Sequence, residues 1–172
     1  MSARRNGPTP LACQKHLFSL AAGKHYLNCA YMGPLSRRVQ EAGIVGITRK
    51  ADPSGIHARH FFEESDELRR RFAQLIGTSD PTRVAIIPAA SYGIATVARN
   101  TKGRPGQNIV IAGEQFPSNV YSWRRLCRRE GMTLRTVRAP ESGRRAEEWN
   151  AALLDAIDGD TAVVALPQVH WT

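Results

Sequence analysis

The sequence has no apolar run of the length that a membrane-spanning helix needs, so we expect none. Two early arginines are not followed by an apolar segment, so a secretory signal is not expected either. Cysteine is scarce. Cys13, Cys29 and Cys127 are too far apart to form a metal-binding or redox pair, which is typical of a reducing, cytoplasmic setting. His57 and His60 lie in a predicted loop, where exposed polar residues are expected rather than a metal site.

Lysine is also scarce, although the chain is basic. Of 24 lysine and arginine residues only four are lysines, and the formal net charge is +9. A basic surface attracts nucleic acid. The arginines, however, occur as scattered pairs and one triple, several of them on the polar sides of predicted helices, and no basic motif with interleaved aromatic residues is present. We therefore expect no nucleic-acid partner. The four lysines are Lys15, Lys24, Lys50 and Lys102.

The first part of the chain is predicted to be irregular and helical. Residues 1–10 are polar and contain proline, which predicts a disordered lead-in, and residues 11–77 are predicted to form a helical arm that includes part of the active-site mouth. Apolar residues at i, i+4, i+7 and i+8 predict a helix over 64–76, which Gly77 would end. Further helices are predicted over 11–22 and 35–42, with irregular segments over 26–34 and 50–60.

From residue 78 onwards, strand-like and helix-like segments alternate. The strand-like segments are almost continuously apolar, which predicts a mainly parallel sheet covered by helices on both faces and hence an α/β fold. The predicted strands are 84–87, 109–112, 134–137 and 161–166, and the predicted helices are 92–100, 118–130 and 147–157.

The segment 161–166 has the apolar character of a central strand, yet no helix follows to cover it. A parallel strand needs a crossover and neighbouring strands. We therefore expect residues 78–172 to be part of a larger domain and the chain to be truncated.

A small-residue turn, Pro88-Ala89-Ala90, leads from the strand predicted over 84–87 into Ser91 and a helix. Small side chains let a ligand approach the backbone, and the N–H groups and dipole at a helix start favour an anion. Ser91 is therefore a candidate phosphate ligand. The commoner role of a serine in this local pattern is to cap the helix, and that interpretation stays open.

The same turn has a second chemical interpretation. Ala89-x-Ser91-x-Gly93 is close to the G-x-S-x-G nucleophile elbow of α/β-hydrolases. A serine hydrolase would also need an acid, Asp158 or Asp160, and then His170, which follow in the right order. Only one predicted strand precedes Ser91, and the first elbow residue is alanine, so a hydrolase stays the alternative.

Four segments carry a family resemblance. These are 26–34 (YLNCAYMGP), 88–95 (PAASYGIA), 114–119 (EQFPSN) and 169–172 (VHWT). They resemble, in this order, an N-terminal signature near the active-site mouth, a phosphate-binding turn, an F-P-[ST]-D segment and a strand end at the cofactor's edge. The family with these features is class V of the aminotransferases, fold-type I pyridoxal-phosphate enzymes, and the likeness is to its kynureninase-like and isopenicillin-epimerase-like branch.

The resemblance implies the N-terminal part of a fold-type I large domain with pyridoxal 5'-phosphate as cofactor and an amino acid as substrate. It also implies a homodimer for the full-length protein. Phe116 would stack on the cofactor ring, and Asn119 stands where the family has Asp. The implied cofactor-binding residues are Ala90, Ser91, Phe116 and Asn119, and the implied substrate-facing residues are Asn28 and Tyr31.

The resemblance implies no catalytic residue in this chain. In the family, the lysine that bonds to the cofactor and the Asp that pairs with its ring nitrogen lie downstream of the strand ending here. None of the four lysines matches, and Lys102 is expected at the surface. We therefore expect this chain alone to be inactive. The desulfurase branch has a histidine where Phe116 stands, which argues against desulfuration.

Overall fold

The computed structural model describes residues 11–171, so the predicted lead-in over 1–10 and Thr172 lie outside the described part. The helices are α1 (Arg37–Thr48), α2 (Glu63–Ile76), α3 (Ala90–Asn100), α4 (Tyr121–Glu130) and α5 (Arg145–Asp155). The strands are β1 (Asn108–Ala112), β2 (Thr133–Val137) and β3 (Thr161–Ala165). Two compact units are present, one ending at Ser65 and the other beginning at Asp66.

In the first unit, α1 begins at a capped end. The Oγ of Ser36 accepts a hydrogen bond from the backbone N–H of Val39 at 3.4 Å, as an N-cap does. The helix predicted over 11–22 is wrong, because only the 3-10 turn Lys15–Leu17 forms there. Leu11 is 88% exposed, so this segment has no buried face, and short helices are marginal in water without one.

The helix predicted over 64–76 is confirmed as α2, and Gly77 ends it. Gly77 has a φ of +74°, a left-handed conformation that glycine adopts without strain. Its N–H donates to the carbonyl of Gln74 at 3.3 Å, and the N–H of Thr78 donates to the carbonyl of Ala73 at 3.0 Å. These two bonds form a Schellman motif, which satisfies the last carbonyls of the helix.

The three strands form a parallel sheet in the order β2-β1-β3. Along the chain, α4 connects β1 to β2 and α5 connects β2 to β3. All five residues of β1 are buried, as expected of a strand covered on both faces. The α/β prediction with a mainly parallel sheet is confirmed.

Two strand predictions differ from the structure. The strand predicted over 84–87 is wrong: Val84 is extended, but this segment pairs with no strand of the described residues. A strand is stabilised only by a neighbour that completes its hydrogen bonds, and Ile86 and Ile87 remain 47% and 42% exposed. Within the described residues β3 pairs with β1 alone, at an edge of the sheet, whereas its apolar run predicted a central strand.

The core lies between the sheet and α4. Ile109 and Ile111 of β1 pack with Trp123, Leu126 and Cys127 of α4. Trp123 and Cys127 thus face inward from α4. Within the part of the chain that the structure describes, no helix is both long enough and apolar enough to cross a bilayer.

Candidate functional site

The start of α3 and the segment that follows β1 line one open cleft of about 420 Å³. Three of the predicted cofactor-binding residues, Ala90, Ser91 and Phe116, therefore lie together although 25 positions of sequence separate the serine from the phenylalanine. The second of these segments follows the carboxyl end of β1, and ligands bind at the carboxyl ends of strands in α/β proteins. The cleft is lined by Ala89, Ala90, Ser91, Phe116, Pro117, Ser118, Tyr121 and Ser122.

The cap of α3 is Ala89, whose backbone is extended at φ −161° and ψ 154°, and no side chain caps this helix. Ser91 is the second residue of the helix, so the interpretation of Ser91 as an N-cap is wrong. The backbone N–H groups of Tyr92 and Gly93 both donate to the carbonyl of Ala89, at 3.1 and 3.3 Å. The N–H groups of Ala90 and Ser91 precede them in the first turn and have no acceptor within the helix.

Gly93 allows α3 to approach the segment that leads into it. A Cβ atom at this position would lie 2.6 Å from the Cδ1 atom of Ile87, which is far inside van der Waals contact. Because that atom is the tip of a flexible side chain that is 42% exposed, an alanine at position 93 would require the Ile87 side chain to shift.

Phe116 is held by a residue 55 positions later. Its ring meets that of Trp171 edge-on, with 5.4 Å between centroids, and the indole Nε1 of Trp171 donates to the carbonyl of Glu114 at 2.7 Å. Between them, Gln115 is 9% exposed and its Nε2 has no acceptor in the described part of the chain. Its Oε1 accepts from the N–H of Phe116 at 3.2 Å, which fixes the orientation of the amide.

Asn119 connects α4 to the end of β3. Its Nδ2 donates to the carbonyl of Ala165 at 3.2 Å, and its Oδ1 accepts from the indole Nε1 of Trp123 at 2.8 Å. Asn119 does not line the cleft. The structure thus shows a packing role for this residue, and its contact with a cofactor stays a prediction.

Asn28 and Tyr31 belong to the first unit. The Oδ1 of Asn28 accepts from the backbone N–H of Tyr31 at 3.3 Å, which closes a local turn, and Tyr31 is 55% exposed. Their contact with substrate stays a prediction.

Sequence reasoning missed three polar residues of the cleft. Ser118 lines it from the turn before α4, and Tyr121 and Ser122 line it from the start of α4. The sequence indicated these residues only through the predicted start of a helix just after Phe116. The first turn of a helix that follows β1 lies at the carboxyl end of that strand, as Phe116 does.

The serine-hydrolase alternative fails on geometry. Asp158 accepts a hydrogen bond from the Nδ2 of Asn108, the first residue of β1, whereas the Nε2 of His170 lies 3.0 Å from the carbonyl of Gly113, just past its end. The five residues of β1 separate these ends by roughly 15 Å. Asp160 also lies at the far end, since its carbonyl accepts from the N–H of Asn108 at 3.0 Å. Neither Asp158 nor Asp160 is therefore placed to orient His170.

Asp158 has a structural role instead. Its carboxylate binds the guanidinium of Arg135 at 2.5 Å and also accepts from Asn108 and Thr161. These bonds, the one with Arg135 above all, lower the pKa of Asp158 to about 2. The cluster joins the amino-terminal ends of β1 and β3 to Arg135 in the middle of β2.

Comparison with known proteins places the chain in a family context. The model of the family described as aminotransferase class-V matches residues 49–170. Isopenicillin N epimerase of Streptomyces clavuligerus is 29% identical over 148 residues, which are 85% of this chain and 37% of that protein. A cysteine desulfurase of Dickeya dadantii is 30% identical over 109 residues, which are 60% of this chain and 25% of that protein.

A solved structure has the same fold. It is a variant of C-DES with glycine covalently linked to the pyridoxal-phosphate cofactor, and it matches with a TM-score of 0.69 at 20% identity. The match covers 94% of this chain and 42% of the other. The chain spans less than half the length of each of these relatives.

Proposed function

The chain belongs to the aminotransferase class-V family, with the α/β fold of the fold-type I enzymes, and we propose that its cleft binds pyridoxal 5'-phosphate. Ala90 and Ser91 hold the phosphate, and Phe116 covers the ring. One observation carries this proposal: the turn at the start of α3 and the segment after β1, which resemble the family's phosphate-binding and ring-stacking segments, line the same cleft.

The residues present fit the phosphate. The first-turn N–H groups of Ala90 and Ser91 have no side-chain cap to satisfy them, and the helix dipole favours a negative charge at this point. The small side chain of Ala89 leaves the backbone accessible. No aspartate or glutamate lines the cleft to repel an anion. The volume of about 420 Å³ lies within the range of roughly 300–1,000 Å³ that is usual for small-molecule sites.

The residues after β1 fit the ring. Phe116 is 41% exposed, which leaves ring surface available for stacking, while Trp171 supports its edge. Asn119 contacts the ring's polar edge in this proposal. Its amide has a second N–H besides the one given to Ala165, so both roles are chemically compatible.

The full-length protein that contains this chain acts on an amino-acid substrate in this proposal, with Asn28 and Tyr31 facing it. Bound pyridoxal phosphate supplies an electron sink for such a substrate. The residues of this chain bind and orient the cofactor. In this proposal none of the four lysines bonds to the cofactor. Lys102 follows the carboxyl end of α3, about 16 Å from the phosphate turn at the other end of that helix.

Three further parts of the proposal concern the whole protein. It is a cytoplasmic homodimer, as is typical of the family. Residues 11–77 form its arm and mouth segment, and residues 78–172 belong to its cofactor-binding domain. The phenylalanine at position 116, where the desulfurase branch has histidine, favours the kynureninase-like and epimerase-like branch.

The test is a titration of the chain with pyridoxal phosphate, followed by absorbance. Ser91→Ala removes a hydrogen bond to a charged group, which costs roughly 1.5–3 kcal/mol, so affinity should fall by about tenfold to a hundredfold. Apo-protein stability should change little, because Ser91 is not the cap of α3. Phe116→Ala should weaken binding and also alter the absorbance of the bound cofactor.

The matched control is Ser142→Ala. Ser142 is an exposed serine before α5 whose Oγ donates to Glu148 at 2.6 Å and which lies outside the cleft. Its replacement should leave the titration unchanged while removing a local hydrogen bond. Unchanged affinity in both the Ser91 and the Phe116 variants would refute the cofactor assignment.

A further inference from the structure

A second and larger cleft opens between the carboxyl ends of β1 and β2 and the start of α5. Its volume is about 620 Å³, again within the range of small-molecule sites. In open α/β sheets, ligands bind outside the carboxyl ends of the strands. The cleft is lined by Gly113, Glu114, Thr136, Arg138, Ala139, Pro140, Glu141, Arg145 and Trp149.

Trp149 gives this cleft a rigid apolar wall. Its indole Nε1 donates to the carbonyl of Val137 at 3.0 Å, which fixes the ring against the end of β2. His170 contacts the ring with 5.4 Å between centroids, and the guanidinium carbon of Arg145 lies 5.8 Å from the ring centroid. An indole held on several sides offers contact area at a low cost in conformational entropy.

The charged groups of the cleft are not paired. Arg138, Arg145, Glu114 and Glu141 all line it, and none of them forms an ion pair with any described residue. The neighbouring Arg144 behaves differently, since it pairs with a glutamate one turn further along α5 at 2.7 Å. Two guanidinium groups and two carboxylates therefore remain available, and their formal charges balance.

Glu114 is placed in the cleft by a strained backbone. Its φ is +52°, and it is the only non-glycine residue of the described part with a positive φ. This conformation costs an L-residue roughly 1–2 kcal/mol, and such strain is concentrated at binding and catalytic sites. The carbonyl of Glu114 accepts from Trp171, so the backbone is held in place from the other side.

We propose that this cleft binds a free α-amino acid with an apolar or aromatic side chain. The guanidinium groups of Arg138 and Arg145 bind its carboxylate, which is the group that arginine recognises best. The carboxylates of Glu114 and Glu141 bind its ammonium group, and its side chain lies against Trp149. The balanced charge of the lining favours a zwitterion over a simple anion, which the two glutamates would repel. The proposal is independent of the cofactor assignment.

Calorimetric titration of the cofactor-free chain with three probes tests the proposal. L-phenylalanine has both charged groups, 3-phenylpropionate lacks the ammonium group, and phenethylamine lacks the carboxylate. We expect phenylalanine to bind and each of the other probes to bind at least about tenfold more weakly, because each leaves charged partners without a ligand group. If 3-phenylpropionate binds as tightly as phenylalanine, or phenylalanine does not bind, the proposal is wrong.

Variants identify the site. Arg145→Gln should weaken phenylalanine binding by about tenfold or more, whereas Arg128→Gln, at an exposed arginine of α4 outside this cleft, should not. Glu114→Asn should also weaken it about tenfold without loss of fold, because asparagine tolerates a positive φ. Thermal melting verifies that each variant is folded. Equal affinity in the wild type and both cleft variants would overturn the assignment.

Discussion

Replacing Asn119 by alanine distinguishes a packing role from a ligand-binding role for this residue. Its side chain bridges two elements that lie far apart in sequence, the start of α4 and the last residue of β3. Trp123, which donates to the Asn119 oxygen, is 3% exposed and belongs to the core. The perturbation therefore removes both a connection between elements and the acceptor of a buried indole N–H.

The magnitude follows from the two hydrogen bonds. A buried Trp123 N–H without an acceptor costs about 1–3 kcal/mol, and the lost bond to the Ala165 carbonyl removes a further net 0.5–1.5 kcal/mol or so. The free energy of unfolding should thus fall by roughly 1.5–4.5 kcal/mol in Asn119→Ala. Asn119→Asp keeps the acceptor for Trp123 but sets a carboxylate against a carbonyl oxygen, so it should also destabilise.

Urea unfolding followed by circular dichroism measures these changes, and a double-mutant cycle with Trp123→Phe isolates the shared bond. Trp123→Phe has no N–H to leave unsatisfied, so Asn119→Ala should cost about 1–3 kcal/mol less in that background. Additive costs would refute the bridge. A cost of Asn119→Ala below about 0.5 kcal/mol, together with weaker cofactor binding, would show that the residue serves the ligand instead.

Three smaller predictions concern the second unit. Because the folded-state pKa of Asp158 is lowered to about 2, its contribution to stability is present above pH 4 or so and is lost as pH falls towards 2. Asp158→Asn should therefore show a smaller drop in stability between pH 5 and pH 2 in acid titrations followed by circular dichroism; an unchanged acid profile would contradict this. Gly131 ends α4 at φ +68°, and a Cβ added there would meet no atom closer than 3.4 Å. The left-handed backbone alone should therefore make Gly131→Ala lower the free energy of unfolding by about 1–2 kcal/mol in urea unfolding. An unchanged free energy of unfolding would show that the backbone strain is relieved. Burial raises the pKa of the Cys127 thiol, so Cys127 should react with a thiol reagent far more slowly than the two exposed cysteines, and equal rates would show that the core opens readily.

The elements of the second unit were predictable because their patterns are local. α3, β1, α4, β2 and β3 all appear within three residues of the predicted bounds, since periodicity and turn residues act over short distances. The two predictions that were wrong depended on contacts with distant parts of the chain. Residues 84–87 have a strand-like pattern but pair with no described strand, and residues 11–22 can form a helix but bury no face. Pairing and burial are supplied by distant parts of a chain, which a local pattern does not contain.

Part of the candidate site was predictable because two of its residues also lie in local sequence patterns. Ser91 and Phe116 lie in turns that follow strand-like segments, and the resemblance assigned them one ligand, so their meeting in one cleft was an expectation that the structure could test. The helix-cap alternative for Ser91 depended on the position of the helix start. Sequence placed that start at Tyr92, whereas the extended backbone of Ala89 begins the helix two residues earlier and makes the serine an interior residue of the first turn.

What no pattern could supply is the set of contacts that join distant turns at the carboxyl ends of the strands. Trp171 meets Phe116 and binds the Glu114 carbonyl, while His170, one residue earlier, binds the Gly113 carbonyl and contacts Trp149. One short segment therefore touches the phenylalanine of the first cleft and the tryptophan of the second. Because adjacent residues cannot move independently, a ligand that displaces Trp149 should disturb Phe116 as well.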